Sequence, residues 1–215
     1  MEREILDNLI KCVVEYDVKG AAEWARKSVS EGVDPLKSLD ALTEAIRQVG
    51  DEFALGERWL PDLVGAADAL QSAMPVLETE IKRRGIIRES VGTVVIGTVK
   101  GDIHTIGKTM VGTFLTAAGF QVHDIGVDVS AQQFVDAVRQ YKADIVAMSA
   151  LLTFTAPEQK RVIEVLKEAG IRDQVKVIVG GGAITEAFAK SIGADGYRPE
   201  APAVVGLAKQ LVGIE

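Results

Sequence analysis

Asp102 and His104 form a pair of side chains that can bind a metal ion or move a proton. They lie in residues 100–109, Lys-Gly-Asp-Ile-His-Thr-Ile-Gly-Lys-Thr, between the apolar run 93–99 and a helical pattern. Side chains two residues apart in an extended segment project to the same side, so the Asp102 carboxylate can reach the imidazole of His104. A carboxylate paired with one ring nitrogen leaves the other free for a metal. The spacing predicts a ligand site on a strand-to-helix loop, where α/β proteins place ligand chemistry.

Other interpretations of these residues are weaker or less specific. Residues 101–109 nearly form the phosphate loop of nucleotide hydrolases, but one residue too many separates Gly101 from Gly107. A core or capping histidine held by a carboxylate is the structural alternative for His104. Glycines 180–182 do not continue as a dinucleotide-binding fingerprint. They form either a tight turn or a place where backbone amides approach a ligand closely.

The first part of the chain has the apolar spacing of amphipathic helices. From Ile5 to about Arg84, apolar residues recur three and four positions apart, and glycine and proline punctuate the pattern. The spacing predicts helices near 2–16, 19–31, 35–55 and 61–84. Helices of this length with short connections form antiparallel bundles, so residues 1–86 are expected to form one helical domain. Trp24 and Trp59 are predicted to pack within this bundle.

The pattern changes at residues 85–91, where the domain boundary is expected. Short β-branched runs predict strands at 93–97, 121–124, 145–148 and 175–179. Helical spacing predicts helices near 106–118, 130–140, 157–169, 185–192 and 201–212. Residues 91–215 are therefore expected to form a doubly wound parallel sheet of the flavodoxin or Rossmann-like type, which makes the chain an α plus α/β protein. His123, near the end of the second strand, is predicted to lie at the surface.

The composition argues against several partners and environments. The net charge is −7 and the basic residues form no cluster, which argues against nucleic acid or a membrane surface as a partner. Cys12 is the one cysteine in the sequence, so disulfides and cysteine-based metal clusters are excluded. No stretch approaches the ~20 apolar residues of a membrane span, and the acidic start is unlike a signal peptide. These features favour a cytoplasmic protein.

Three short motifs lie at strand ends with a specific separation. Asp-x-His-x-x-Gly ends at Gly107, Ser-x-Leu begins at Ser149, and Gly-Gly begins at Gly180. Residues 108–148 separate the first two motifs, and residues 152–179 separate the last two. This pattern closely resembles the signature of cobalamin-binding domains that hold a corrinoid with histidine in place of its lower base.

The helical part extends the resemblance to essentially the whole chain. The sequence from Phe53 to Leu63, Phe-Ala-Leu-Gly-Glu-Arg-Trp-Leu-Pro-Asp-Leu, is similar to the helical cap over the upper cobalt face in methionine synthase. It is also similar to the cap of corrinoid proteins in three-component methyltransferase systems. The resemblance implies that Phe53, Leu60 and Leu63 face the upper side of the corrinoid. It also implies that residues 84–90 act as a hinge for the cap.

The resemblance assigns roles to residues of the loops. It implies that His104 is the lower cobalt ligand, that Asp102 orients it, and that Thr155 completes a proton relay with Asp102. Thr155 as an ordinary N-cap of the helix near Pro157 is the alternative. The other residues that the resemblance places against the cofactor and its nucleotide tail are Thr105, Ile106, Gly107, Ser149, Leu151, Thr153, Gly180, Gly181 and Gly182.

By the same resemblance, the chain is expected to carry a methyl group on cobalt and to need partners for turnover. The cofactor is expected to be cobalamin, alternating between methylcobalamin and cob(I)alamin. The expected partners are a substrate-specific methyltransferase, a methylcorrinoid:acceptor methyltransferase that serves tetrahydrofolate or coenzyme M, and a reductive activation protein. The chain is not expected to be a complete enzyme alone. Its methyl donor, among methanol, methylamines and aryl methyl ethers, is not encoded in these motifs.

Three alternatives to a methyl carrier stay open. The same motifs occur in the cobalamin-binding part of adenosylcobalamin mutases, although these proteins lack a helical cap. A cobalamin-dependent sensor or regulator has a related helical module, but usually carries a DNA-binding or signalling module as well. A flavodoxin-like domain without cobalamin requires the three spaced motifs to be a coincidence.

Overall fold

A computed structural model describes residues 1–86 and 90–214 of the chain. The chain divides into two units, and the division falls immediately before Ser90. The predicted hinge at residues 84–90 includes residues 87–89, which lie outside the described residues.

The first unit is a helical bundle. Within residues 1–86 its helices are Glu2–Val14 (α1), Val18–Ser30 (α2), Pro35–Ala54 (α3) and Leu60–Arg83 (α4). The side chains of Asp17 and Asp34 accept hydrogen bonds from backbone N–H groups in the first turns of α2 and α3. The large, fully buried side chains of the core include Ile5, Leu9, Leu42, Ile46, Leu63, Leu70 and Leu77. These residues lie on the apolar stripes of the helices, and the predicted bundle is confirmed.

Arg58 holds the connection between α3 and α4. Its guanidinium forms an ion pair with Glu52 at 2.7 Å and donates to the carbonyl oxygen of Val14 at 3.2 Å. It also donates to the hydroxyl of Tyr16. Arg58 therefore ties this connection to the end of α1.

The second unit alternates strands and helices. Its strands are Thr93–Thr98 (β1), Gln121–Asp124 (β2), Ile145–Ser149 (β3), Lys176–Gly180 (β4) and Gly196–Tyr197 (β5). Its helices are Ile106–Ala117 (α5), Ala131–Tyr141 (α6), Ala156–Glu168 (α7), Glu186–Ile192 (α8) and Ala203–Leu211 (α9). The strands pair in parallel in the order β2-β1-β3-β4-β5, so the predicted doubly wound sheet is confirmed. In the described part of both units, no helix has the length and apolar character needed to cross a bilayer.

Helices cover both faces of the sheet. On one face, Val94 packs with Leu115 of α5 and Leu207 of α9. On the other face, Val95 packs with Phe134 of α6, in a cluster that also includes residues of α7 and α8. The chain changes direction across the sheet between β1 and β3, which are neighbours. The carboxyl ends of these strands therefore flank the topological switch point, where open α/β sheets bind ligands.

Candidate functional site

The loop between β1 and α5 lies at the switch point and carries Asp102 and His104. Gly101 has a φ of +78°, a left-handed conformation that glycine adopts without strain. The Thr98 hydroxyl, at the end of β1, donates to the carbonyl oxygen of His104 at 2.9 Å. The backbone N–H of Asp102 donates to the carbonyl oxygen of Val99 at 3.1 Å. The loop is therefore folded back onto the end of β1.

Asp102 is the buried centre of the site. Its side chain has no exposed surface, whereas 47% of the His104 side chain is exposed. Oδ1 of Asp102 lies 2.7 Å from Nδ1 of His104 and accepts a hydrogen bond from the backbone N–H of His104 at 3.1 Å. These two contacts fix the orientation of the ring. They leave Nε2 as the ring nitrogen that can meet an outside ligand such as a metal ion.

The second oxygen of Asp102 is held by the loop after β3. The Thr155 hydroxyl lies 2.7 Å from Oδ2, and the backbone N–H of Leu151 donates to it at 2.8 Å. Thr155 occupies the N-cap position of α7, but its side chain makes no capping hydrogen bond. Thr105, at the N-cap position of α5, makes none either. The Thr155 hydroxyl therefore makes the contact expected of a relay partner rather than that of a helix cap.

The hydrogen bonds keep the Asp102 carboxylate charged. Burial raises the pKa of this carboxyl, but hydrogen bonds from Thr155, from the His104 ring and backbone, and from the Leu151 backbone outweigh it. The pKa of Asp102 is consequently held well below its ordinary value. A charged carboxylate favours the proton on Nδ1 of His104, so Nε2 keeps its lone pair. The site can present a neutral imidazole to a metal from a fixed direction.

Several apolar side chains that are close in sequence to this polar centre are exposed. Ile103 and Phe154 are each 72% exposed. Exposed apolar groups beside a polar site are typical of ligand or partner surfaces. Five exposed apolar residues lie within two positions of a residue that is hydrogen-bonded to Asp102 or Gly101. We call them the apolar rim: Ile103, Ile106, Val127, Leu151 and Phe154. An imidazole within an apolar rim fits a metal that is carried by a largely apolar macrocycle.

Glycines at the site provide open space in some places and close backbone packing in another. A Cβ atom at Gly107 or Gly180 would meet nothing within 4 Å. At Gly181, φ is +125° and a Cβ would lie 1.9 Å from the carbonyl oxygen of Ala150. The loop after β4 therefore packs its backbone directly against the loop after β3.

The residues predicted to line the nucleotide tail meet along the β3–β4 seam. Ser149 and Gly180 are partners in the register of these two strands. Thr153 and Gly182 are exposed on the loops that follow. The structure therefore brings the second and third sequence motifs together at the carboxyl ends of β3 and β4.

Residues of the predicted cap differ in exposure within the helical unit. Leu60 is 47% exposed and Phe53 is half-buried, whereas Leu63 has no exposed surface and belongs to the core. Leu55 and Trp59 are exposed apolar residues of the same connection that the resemblance did not single out.

One positional prediction needs correction. Trp59 is 76% exposed, so the prediction that it packs within the bundle is wrong. It precedes α4 as its N-cap residue and so lies outside the helices that form the bundle. His123 is partly exposed, and its ring stacks on Tyr141 with 3.8 Å between centroids. Trp24 is half-buried, as packing in the bundle requires, and Lys27 lies over its ring.

Gln159 is a residue of the site that the sequence reasoning missed. Its side-chain amide donates to the carbonyl oxygens of Met148 and Gly180 at 3.1 and 3.0 Å, and so joins the ends of β3 and β4. The side chain is fully buried. Its signal in the sequence is a polar residue at helical spacing with the buried Val162 and Ile163.

Asp128 and Lys108 were also missed. Asp128 has a φ of 55°, and such a left-handed conformation is not readable from the sequence of its loop. Lys108 is buried and forms an ion pair with Asp124. Its place after Gly107 suggested a phosphate loop instead.

Family models match both parts of the chain. A model described as a B12 binding domain matches residues 92–206. A second model with the same description matches residues 5–78.

Curated relatives align over the full length of the chain. Trimethylamine corrinoid protein 1 of Methanosarcina acetivorans is 40% identical over 212 residues, which are 98% of each chain. A corrinoid protein of Desulfitobacterium hafniense is 41% identical over 99% of this chain and 100% of the relative.

A solved structure with the same fold includes a methyltransferase. The crystal structure of the methanol:cobalamin methyltransferase complex MtaBC from Methanosarcina barkeri matches with a TM-score of 0.81 and 29% identity. The match covers 97% of this chain and 80% of that chain.

Proposed function

Because the chain belongs to the B12-binding family, with corrinoid proteins as full-length relatives, we propose that it is the methyl-carrying corrinoid protein of a methyltransferase system. In this role, a substrate-specific methyltransferase loads a methyl group onto the bound corrinoid, and a second methyltransferase removes it. The observation that carries the proposal is the buried Asp102 carboxylate, which fixes His104 at 2.7 Å within an apolar rim.

The residues present fit a corrinoid. His104 would supply the lower ligand through Nε2, and the rim residues around it would contact the macrocycle. The open space beside Gly107 and Gly180 would receive the nucleotide tail. When bound, the corrinoid supplies the cobalt on which the methyl group is carried.

Asp102 and Thr155 would control the proton on His104. Protonation of Nε2 competes with metal ligation, because both use the same lone pair. The Asp102 carboxylate stabilises the Nδ1 proton, and the Thr155 hydroxyl stabilises the carboxylate. These contacts would set how firmly Nε2 of His104 binds a metal.

We propose a methylated amine as the methyl donor at the first partner. Support comes from relatives named as trimethylamine and dimethylamine corrinoid proteins, at 40% and 41% identity. The second methyltransferase would pass the methyl group to tetrahydrofolate or coenzyme M. A reductive activation protein would restore cofactor that has been oxidised. We place this system in the cytoplasm, where the reducing environment suits the single unpaired Cys12.

The first test is reconstitution with hydroxocobalamin. The purified protein is incubated with the cofactor and desalted, and its visible spectrum is recorded beside that of His104→Ala. His123→Phe serves as the matched control, because phenylalanine can keep the stack on Tyr141 while the second histidine is removed.

We expect stoichiometric retention of corrinoid by the wild-type chain and a changed ligation spectrum in His104→Ala alone. Wild-type protein that retains no corrinoid would contradict the proposal. Donor and acceptor are then tested by demethylation assays with methylamines and methanol, each with its methyltransferase, because these partners hold the substrate pockets.

A further inference from the structure

The segment after β2 contacts both ends of the loop that carries His104. We call residues 124–129 the clamp segment and residues 100–108 the histidine loop. The clamp residues that bond to the histidine loop belong neither to the three sequence motifs nor to the apolar rim. The clamp segment nonetheless contacts the histidine loop through ion pairs and hydrogen bonds.

Asp128 holds the first end of the histidine loop. Oδ1 accepts a hydrogen bond from the Gly101 N–H at 2.8 Å, and Oδ2 lies 3.0 Å from Nζ of Lys100. The backbone N–H of Asp128 donates to the carbonyl oxygen of Asp102 at 2.9 Å. Asp128 adopts a φ of 55°, which aspartate tolerates better than most residues. One residue thus fixes the peptide groups on both sides of the Gly101–Asp102 link.

Asp124 holds the second end of the loop. Its carboxylate forms an ion pair with Lys108, whose side chain is only 4% exposed. A buried ammonium needs such a partner, since desolvation of an unpaired charge is costly. The other oxygen of Asp124 accepts from the Gly126 N–H at 2.8 Å, which keeps the carboxylate in place. Both ends of the histidine loop are therefore bound to the same short segment.

The clamp segment is itself joined to β1. The Val129 N–H donates to the Thr98 carbonyl oxygen at 3.0 Å, and the Thr98 N–H donates to the Gly126 carbonyl oxygen at 3.0 Å. A parallel bridge links Val99 with Val129. The clamp segment thus transmits the rigidity of the central strand to the loop.

From these contacts we infer that Asp128 is a positioning residue that sets how firmly His104 ligates the metal of the cofactor. The inference rests on the proposed function, because it concerns ligation by His104. The Asp102 carboxylate orients the imidazole, and Asp128 holds the backbone that carries this carboxylate. A shift of that backbone moves the carboxylate and the ring together. Asp128 therefore influences the metal bond through Asp102.

The experiment separates the grip on Gly101 from the charge on Lys100. Asp128→Gly keeps the left-handed backbone and its N–H but removes the carboxylate. Asp128→Asn keeps an oxygen that can accept from Gly101 and loses the ion pair, as does Lys100→Ala. Asp144→Gly is the matched control, because its carboxylate accepts from the Thr93 N–H at 2.7 Å at the opposite end of β1.

Each full-length variant is loaded with methylcobalamin and titrated with acid while the visible spectrum reports loss of His104 ligation. Loss of a partner behind a metal ligand commonly weakens metal binding by 10–100-fold. In Asp128→Gly we expect the ligation constant to fall about tenfold, which raises the acid midpoint by about one pH unit. Asp128→Asn, Lys100→Ala and Asp144→Gly should stay within about twofold of wild type. Thermal unfolding of the cofactor-free proteins should show no larger loss in Asp128→Gly than in Asp144→Gly, because glycine suits the left-handed backbone at residue 128.

The outcomes distinguish the inference from the proposed function. Failure of wild type to hold corrinoid, or an unchanged spectrum in His104→Ala, counts against the proposed function itself. If wild type and His104→Ala behave as expected, an unchanged midpoint in Asp128→Gly overturns the role of Asp128. Equal shifts in Asp128→Gly, Asp128→Asn and Lys100→Ala also overturn it, because charge would then outweigh the backbone grip. If Asp128→Gly does not fold, the acid midpoint of Asp128→Asn decides, and a rise of about one pH unit in that variant overturns the role of the Gly101 contact.

Discussion

At the scale of single residues, the site depends on the Asp102 carboxylate, which accepts hydrogen bonds through both of its oxygens. Asp102 accepts from His104 through Oδ1, and from Thr155 and Leu151 through Oδ2. A buried charge is tolerated when hydrogen bonds compensate its desolvation. Each of those bonds also fixes the direction of the imidazole. The same contacts therefore contribute to stability and to the ligation proposed for His104.

Replacing Asp102 with Asn should abolish the correct tautomer of His104. The carbonyl oxygen of the amide can replace Oδ2, but its NH2 group then faces the His104 ring and backbone N–H. We expect Nδ1 to become an acceptor, which moves the proton to Nε2 and blocks ligation. The visible spectrum of the reconstituted variant should match that of His104→Ala. The unfolding free energy should fall by about 1–3 kcal/mol, as for an unsatisfied buried group. Asp136→Asn, on the exposed face of α6, should change neither quantity.

Alanine should lower the unfolding free energy at one of the two adjacent glycines at the end of β4 and leave it nearly unchanged at the other. Gly181→Ala places a methyl group 1.9 Å from the Ala150 carbonyl oxygen at a φ of +125°, so it should cost about 2 kcal/mol or more. Gly180→Ala meets no atom within 4 Å and should leave denaturant unfolding nearly unchanged. The same change fills space assigned to the nucleotide tail, so it should reduce corrinoid retention. Equal losses of unfolding free energy in the two variants would contradict the difference in backbone packing between Gly180 and Gly181.

At the scale of elements, hydrophobic spacing was sufficient where burial determines structure. The strand predicted at 145–148 is Ile145–Ser149, and the helix predicted near 157–169 is Ala156–Glu168. Such spacing carries no information on residues that precede a helix, which is why Trp59 was misplaced. It also gave no signal for Asp128, whose role follows from a left-handed backbone conformation and contacts with a distant loop. The pairing of Asp102 with His104, in contrast, followed from their separation of two residues.

Glu80 should make the stability of the helical unit depend on pH in the acidic range. This residue of α4 is 4% exposed, and hydrogen bonds from Arg83 and Arg84 lower its pKa to about 2 from 4.5. A carboxyl with a depressed pKa in the folded state stabilises the fold above its unfolded pKa. This contribution is lost as the pH falls from about 4.5 towards 2. Denaturation of Glu80→Gln should vary less across this window than that of wild type, whereas Glu78→Gln, exposed on the same helix, should follow wild type.

At the scale of the whole molecule, the site forms because of the order of the strands in the sheet of the second unit. The loop after β1 and the loop after β3 meet because these strands are neighbours, although residues 106–149 separate the two loops in the chain. Asp102 and Thr155 could be paired from the sequence only through the family resemblance. Composition and periodicity gave the two units and the parallel sheet, but not this contact.

Cofactor loading should stabilise the protein by mass action. A ligand that binds only the folded state stabilises it by about 2.7 kcal/mol at a hundredfold excess over its dissociation constant. We therefore expect calorimetry of the loaded chain to show a higher unfolding temperature than that of the cofactor-free chain. The increase should be smaller in His104→Ala, since one metal bond is missing. An equal increase in both proteins would indicate that His104 contributes little to binding.

The uncapped starts of α5 and α7 affect how this protein can be engineered. Thr105 and Thr155 stand at N-cap positions, yet neither side chain caps its helix. A thermostabilisation strategy that optimises caps would replace Thr155 with Asp, for a gain on the order of 1 kcal/mol. That replacement would bring a second carboxylate against Asp102 and remove a hydroxyl donor from it. A variant selected for heat resistance alone would therefore be prone to lose the metal ligation that we propose for His104.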